Sequence, residues 1–294
     1  MFRLTIPAAN MSRICGDSYQ LTKEEVDQFH RTGYITLQDV VTEQELGGLE
    51  ELYNRLIRND VSVDFGADYG DHSSPAGTAK EEWKMVNVTL PSLHYPPFSE
   101  NVFSRRALSI GRQLYPQHDM VWEYDQLLAK KPRRPDAVFP AHQDSGYWYT
   151  PPGIPTATAT CSLAINDATE SNGCLMVVPG SHREQRTRPH EDSVGGGGEH
   201  LLQLRPQAGD EPAVWVPCRR GSCTVHDEWL VHGSPGNRSE GWRHTYVVAV
   251  RHGRMVEYER ERGFRHSYRD KEALVRLRRT KEREAREGGE GEVK

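Results

Sequence analysis

Met120-Val121-Trp122-Glu123-Tyr124-Asp125-Gln126-Leu127-Leu128 is a run of β-branched, aromatic and aliphatic residues mixed with polar ones, the texture of a strand. Runs of the same kind follow at Thr158–Ile165, Cys174–Val178, Ala213–Val216, Ser222–His226 and His244–Val250, each bounded by turn residues. Short strands at such spacing predict a sandwich or jelly roll rather than a parallel α/β sheet.

Upstream the period changes. Leu21-Thr22-Lys23-Glu24-Glu25 offers a capping threonine followed by acids, and Val26, Phe29 and His30 recur at helical spacing until Gly33. Tyr34-Ile35-Thr36-Leu37 reads as a short strand. Thr42-Glu43-Gln44-Glu45 opens a second amphipathic helix carrying Leu46, Leu49, Leu52, Tyr53 and Leu56. Residues 61–82, rich in Asp, Gly and Ser, read as a long loop, a lid or a disordered segment. Downstream, residues 193–198 carry four glycines in a row and are expected to be flexible. The Arg-, Lys- and Glu-rich tail from Lys271 reads as an exposed, fraying helix.

Hydrophobic residues make up 36%, charged residues 27%, and the net charge is -5. Nothing in that balance points to nucleic acid or an anionic membrane. The local basic run Lys130-Lys131-Pro132-Arg133-Arg134 reads as a solvated turn. The five cysteines (15, 161, 174, 218, 223) are odd in number and lack a C-x-x-C pair, so neither a disulfide framework nor a zinc knuckle is expected. The opening residues lack a sustained apolar core, and no stretch of about 18 consecutive apolar residues occurs. A cytoplasmic protein with a small-molecule substrate is the expectation, with no nucleic-acid or membrane partner; oligomeric state is left open.

The chemistry concentrates in Phe139-Pro140-Ala141-His142-Gln143-Asp144. In an extended segment, residues two apart project to the same side, so His142 and Asp144 can reach one point in space. An imidazole and a carboxylate make two thirds of the 2-His-1-carboxylate triad of non-haem iron oxygenases. The tripeptide alone is weak evidence. His232, in Leu230-Val231-His232-Gly233-Ser234-Pro235-Gly236, is the candidate third ligand. Arg243 begins the last β-like run; inside a barrel its guanidinium needs a carboxylate. Either a protein acid or the far carboxylate of 2-oxoglutarate would serve, the latter in a bidentate fork.

Taken together, these residues resemble the phytanoyl-CoA dioxygenase family of Fe(II)/2-oxoglutarate oxygenases. The resemblance runs from about Leu21 to Val250. It includes GYITLQDVVT at 33–42, LLAKKP at 127–132, HQD at 142–144, INDATESNGCLMVVPGSH at 165–182 and HGSPGNRSEGWR at 232–243. It implies a mainly β double-stranded β-helix (a cupin-like jelly roll) with flanking α-helices. It also implies Fe(II) held by His142, Asp144 and His232, with 2-oxoglutarate and O2 as co-substrates. Arg243, Ser234 and Lys130 would lie at the co-substrate, and Gln143 would line the site. Two departures stand out. Small residues occupy 158–162, where many members carry an aromatic, which implies a roomier or more polar floor. A full aspartate at 144 disfavours halogenation.

Tyr147, Trp148 and Tyr149 follow the metal strand closely and are candidates for the substrate pocket; Trp83, Asn87 and Trp229 are weaker ones. Asn172, Gly173, Pro179, Gly180 and Ser181 read as turn and packing residues, His182 as scaffold, and His226-Asp227-Glu228 as a hydrogen-bonded group behind the ligands. The expected organisation is an extension at 1–20, one dioxygenase domain at 21–270 and a charged tail at 271–294. The expected reaction is oxidation, by hydroxylation, of a C–H bond in a small organic molecule of specialised metabolism, releasing succinate and CO2. The alternatives are an acyl-CoA hydroxylase of the same mechanism, a metal hydrolase or isomerase with no use for Arg243, and a catalytically silent binding member of the fold.

Overall fold

The threonines that open the first two helices act as the sequence requires. Thr22 caps α1 (Lys23–Thr32) and Thr42 caps α2 (Glu43–Arg58). Each side chain accepts the amide of the third helical residue, Glu25 or Glu45, whose carboxylate returns to the threonine amide. Between the helices runs β1 (Tyr34–Leu37). The computed structural model describes residues 13–75, 77–99, 101–148, 153–192, 201–204 and 212–267. The glycine run at 193–198 and the tail from Lys271 lie outside the described residues.

The remaining principal elements are β2 (Tyr69–Gly70), β3 (Met85–Thr89), α3 (Val102–Leu114), β4 (Met120–Lys130), β5 (Phe139–His142) and β6 (Thr158–Ala164). They continue with β7 (Leu175–Val177), β8 (Val214–Val216), β9 (Cys223–Asp227), β10 (His232–Ser234), β11 (Arg243–His252) and α4 (Gly253–Glu261). A seven-stranded sheet has the order β1-β9-β6-β11-β4-β3-β2, and a four-stranded sheet the order β8-β7-β10-β5. Every pairing in both is antiparallel. This is the mainly β, cupin-like jelly roll that the run of short strands predicts, with helices outside.

α2 and α3 pack on the larger sheet. There Phe29, Leu46, Tyr53, Phe103 and Ile110 meet Leu127 and Val248 in the main core. Arg106 of α3 ties the helices together. It is buried and grips the Glu45 carboxylate at 2.7 Å through both terminal nitrogens while donating to the carbonyls of Gly16 and Val40. That pairing pulls the Glu45 carboxyl down to about 2.

Two stretches hold polar groups that are buried rather than solvated. Within the loop at 61–82, Asp68, Asp71, His72, Ser73 and Ser74 are buried. The Asp71 carboxylate accepts from the Ser73 and Ser74 hydroxyls (2.5 and 2.7 Å) and from the Ser73 and Lys84 amides (2.9 and 2.7 Å). The polar residues that suggested solvent therefore satisfy one another inside. Likewise Lys130, the first residue of the basic run read as a solvated turn, is fully buried.

Candidate active site

The register of the smaller sheet builds the centre. His232 of β10 pairs directly with His142 of β5, and their rings lie 4.3 Å apart. Asp144 follows two residues after His142, where the strand ends in a short helical turn. Its Oδ1 lies 3.7 Å from His142 Nε2 and 3.5 Å from His232 Nε2. Three potential ligand atoms, all within 4.8 Å of one another, thus face one point. The other nitrogen of each ring is fixed: His142 Nδ1 donates to the Pro140 carbonyl at 2.7 Å and His232 Nδ1 to the Leu230 carbonyl at 2.9 Å. That bond directs Nε2 to the centre, as metal-ligating histidines require.

The Asp144 carboxylate is held from behind. Thr160 Oγ1 donates to Oδ2 at 2.7 Å and His226 Nε2 to the same oxygen at 3.2 Å. Oδ1 is left to the centre. Burial pushes the Asp144 carboxyl up, but His232, His226 and His142 outweigh that and hold it well below the carboxylate range. Burial also pushes both facing imidazoles below the ordinary histidine value. Two neutral imidazoles and one ionised carboxylate are the donor set that a divalent iron takes.

A cavity of about 180 Å³ opens from this centre, lying between the two sheets. Arg243 lines it from β11. The guanidinium is buried, its Nε has no hydrogen-bond partner, and no carboxylate among the described residues lies at ion-pair distance. Burial lowers its pKa accordingly. A buried cation facing a cavity without an acid fits a ligand that brings its own carboxylate.

The other candidate residues divide. Ser234 lines the cavity, with its hydroxyl donating to the Gly173 carbonyl at 2.8 Å. Lys130 stands behind it. Its Nζ donates to Ser234 O (2.8 Å), Ser234 Oγ (2.6 Å) and Pro235 O (2.5 Å), and it is not among the lining residues. Burial, helped by Arg243, pushes its pKa well down. Gln143 faces away from the cavity, because it alternates with His142 and Asp144. Its amide donates to the carbonyls of Trp229 and Arg186 and accepts the Arg188 amide.

Tyr147 and Trp148 line the cavity, whereas Tyr149 lies outside the described residues. Trp83, Asn87 and Trp229 are not brought to it: Trp83 packs on Tyr69, and Asn87 is buried within β3. Thr160 and Ser162, two of the small residues noted at 158–162, do line it. The reading of the sequence missed Tyr124, Gln126, Thr245, Phe264, His266 and Ser267 as lining residues. Tyr124, Gln126 and Leu128 alternate along β4, which a period-two count ending at Lys130 would have found. Phe264 to Ser267 follow α4 and carry no such signal.

The loop after His232 is pinned by close approach. A Cβ at Gly173 (φ +80) would stand 2.1 Å from the Pro235 carbonyl oxygen, and one at Gly236 2.1 Å from that of Pro135. Only glycine fits at either place.

The model of the phytanoyl-CoA dioxygenase family matches residues 29–245. The chain belongs to the phytanoyl-CoA dioxygenase family. It is thus a 2-oxoglutarate-dependent non-haem iron dioxygenase, and a His-Asp-His site is present in it. Relatives include a phytanoyl-CoA dioxygenase of Arabidopsis thaliana, 25% identical over 80% of this chain and 90% of that protein. An ectoine dioxygenase of Bordetella bronchiseptica is 27% identical over 78% and 75%. Among solved structures, EvdO2 of Micromonospora carbonacea var. aurantiaca in complex with 2-oxoglutarate aligns with a TM-score of 0.62. Identity there is 22% over 80% of this chain and 92% of that one. That likeness attests the jelly roll.

Proposed function

We propose that His142, Asp144 and His232 hold Fe(II), that Arg243 binds the far carboxylate of 2-oxoglutarate, and that the enzyme hydroxylates a C–H bond of a small organic molecule. The observation that carries the reading is the acid-free guanidinium of Arg243 in the same cavity as the triad. A generic metal hydrolase would have no use for it.

Iron held by His142, Asp144 and His232 would supply, with 2-oxoglutarate and O2, the oxidising power for hydroxylation, with succinate and CO2 as co-products. The chain's own residues do the rest. Carbonyls of Pro140 and Leu230 fix the imidazoles, and Thr160 and His226 turn one Asp144 oxygen to the centre. Lys130 holds the Ser234 loop beside Arg243. Thr160 and Ser162, being small, leave floor space for the reactants.

An acyl-CoA substrate is less well supported. The arginines that might meet its phosphates are matched by acids: Arg133 by Glu240, Arg134 by Asp136, Arg219 by Asp39, and Arg220 by Glu43 and Glu50. None of them lines the cavity. Strands β4, β5, β6, β7, β9, β10 and β11 all contribute residues to one cavity, which supports a single dioxygenase domain at 21–270. All five cysteines are free thiols, which supports a reducing compartment, the cytoplasm. No helix among the described residues is long and apolar enough to cross a membrane.

The test is conversion of 2-oxoglutarate to succinate by protein loaded with Fe(II). We expect alanine at His142, Asp144 or His232 to abolish turnover while the circular dichroism spectrum is retained. Full activity in His232→Ala would displace it as the third ligand.

A further inference from the structure

β4 and β11 are out of step at one place. Tyr124 pairs with Ala249 and Trp122 with Val250, leaving Glu123 as an extra residue. Such bulges re-aim side chains, and this one turns Glu123 inward against Arg251 of β11. Arg251 Nη1 lies 3.2 Å from Glu123, 2.6 Å from Glu259 and 3.0 Å from His266 Nε2. By donor type those three residues make a metal site. Arg251 already reaches all of them, so the cluster is an ion-pair network with its cation built in. Arg260 supplies a second guanidinium at 3.1 Å from Glu123, so Glu123 and Glu259 each meet a guanidinium.

The network backs one wall of the cavity. The Arg251 guanidinium lies 4.4 Å over the Trp148 ring. Trp148 meets His266 edge-on at 4.5 Å and Tyr124 at 5.5 Å, and Phe264 meets His266 at 4.2 Å. All four rings line the cavity. His266 is held at φ +61, a conformation that persists only where the surroundings impose it. Next to it, Ser267 Oγ donates to the buried Asp68 at 2.6 Å, so the segment after α4 is fastened on both sides.

This wall stands at the opposite end of β11 from Arg243. The inward residues of that strand run Arg243, Thr245, Val247, Ala249, and Tyr124 pairs with the last. Six residues of strand at ~3.3 Å each separate the two ends by about 20 Å. At the Arg243 end an unpaired cation awaits an anion. At the other end no lining residue among the described ones is an arginine, lysine or acid, and the two guanidiniums behind the wall are paired with Glu123 and Glu259. An ionised group buried there would lose its hydration and gain no counter-charge. One face of Trp148 is already covered by a cation.

We propose that Tyr124, Trp148, Phe264 and His266 form the substrate subsite, and that it takes an uncharged, ring-bearing group. Rings prefer offset or edge contacts with such a wall. Arg251 is the positioning residue, acting through Trp148 and His266. The proposal names the substrate class for the dioxygenase reading above and rests on it for the place of the co-substrate.

The experiment uses the full chain loaded with Mn(II), a redox-inert stand-in, with and without saturating 2-oxoglutarate. Binding of 2-naphthol, 2-naphthalenesulfonate and coenzyme A is followed by calorimetry and tryptophan fluorescence. With 2-oxoglutarate present, 2-naphthol should bind at least tenfold more tightly than the sulfonate, and coenzyme A should not compete with it. Phe264→Ala should weaken 2-naphthol at least tenfold and leave 2-oxoglutarate affinity unchanged. Phe264→Leu, which keeps apolar bulk without the ring, reads the same contact should the alanine variant not fold. Equal binding of the sulfonate, displacement by coenzyme A, or indifference of 2-naphthol to both Phe264 variants would overturn the proposal. If 2-oxoglutarate itself fails to bind, the co-substrate assignment falls, and the titration of 2-naphthol alone with the Phe264 variants still decides the wall.

Discussion

Arg243 and Arg251 sit on the same strand, both buried, eight residues apart, and they live in opposite surroundings. Arg251 meets two carboxylates and an imidazole. Arg243 meets no acid among the described residues. A paired buried charge is architecture, since it holds neighbouring elements in place at roughly no net gain over an apolar core. An unpaired one is a standing cost that only a bound anion removes. The difference separates the scaffold of this cavity from its working end.

The contrast is most easily broken at Arg251. Arg251→Ala leaves Glu259 without its guanidinium and Glu123 with Arg260 alone, and we expect a loss of roughly 3–5 kcal/mol in stability by urea denaturation. A loss below about 1 kcal/mol would mean the network is not built as described.

Glu228 lies on the same side. Its carboxyl is pushed up to about 7 by burial and by Asp227, against the pull of Arg251. The folded protein therefore keeps this proton from the unfolded value of 4.5 up to about 7. Stability falls as pH rises through that window, by on the order of 3 kcal/mol at ~1.36 kcal/mol per pH unit. Glu228→Gln should remove this slope, so chemical denaturation at pH 5 and pH 8 should differ less than in the parent.

At the other end, Arg243→Met should leave the protein at least as stable as the parent without ligand. The parent alone should then gain about 2.7 kcal/mol from 2-oxoglutarate at a hundred times its Kd. Arg243→Ala should weaken 2-oxoglutarate by about two orders of magnitude or more in calorimetry, as loss of a buried charge pair implies. Unchanged co-substrate binding in either variant would make Arg243 structural and erase the contrast.

The smallest effect sharpens the centre between the two arginines. Thr160→Val removes one of two hydrogen bonds to Asp144 Oδ2, and metal affinity by competition with a chelating dye should drop about tenfold. His226 remains as the second donor, so turnover should persist.

How much of this the sequence carries depends on how local the signal is. β4, β6, β9 and β11 are long or strongly apolar, and each lies where its run of residues put it. The caps of α1 and α2 are spelled by Thr-x-x-Glu. His142 and Asp144 are two apart on one strand, so their convergence is a local fact. His232 and Arg243 are named by the spacing of a family block, which substitutes for the missing three-dimensional information. Asp71 and Lys130 defeated the reading because polar composition cannot say whether the partners of a charge are water or protein. The aromatic wall was illegible for a further reason. It is assembled by a bulge and by residues after the last helix, from positions 124, 148, 264 and 266, and no window of sequence holds them together.

Gly173 and Gly236 bear on how tolerance to mutation would be distributed. Neither offers a side chain to any reactant, yet each passes so close to a carbonyl oxygen that a single methyl would collide with backbone. In a saturation scan scored by activity, both should be as intolerant as the three metal-centre residues, while Gln143 should accept few changes for a different reason, its three backbone hydrogen bonds. A map of intolerance drawn over this protein would therefore outline these loop contacts as sharply as the His-Asp-His centre, and only a separate measurement of folded protein would tell packing from chemistry.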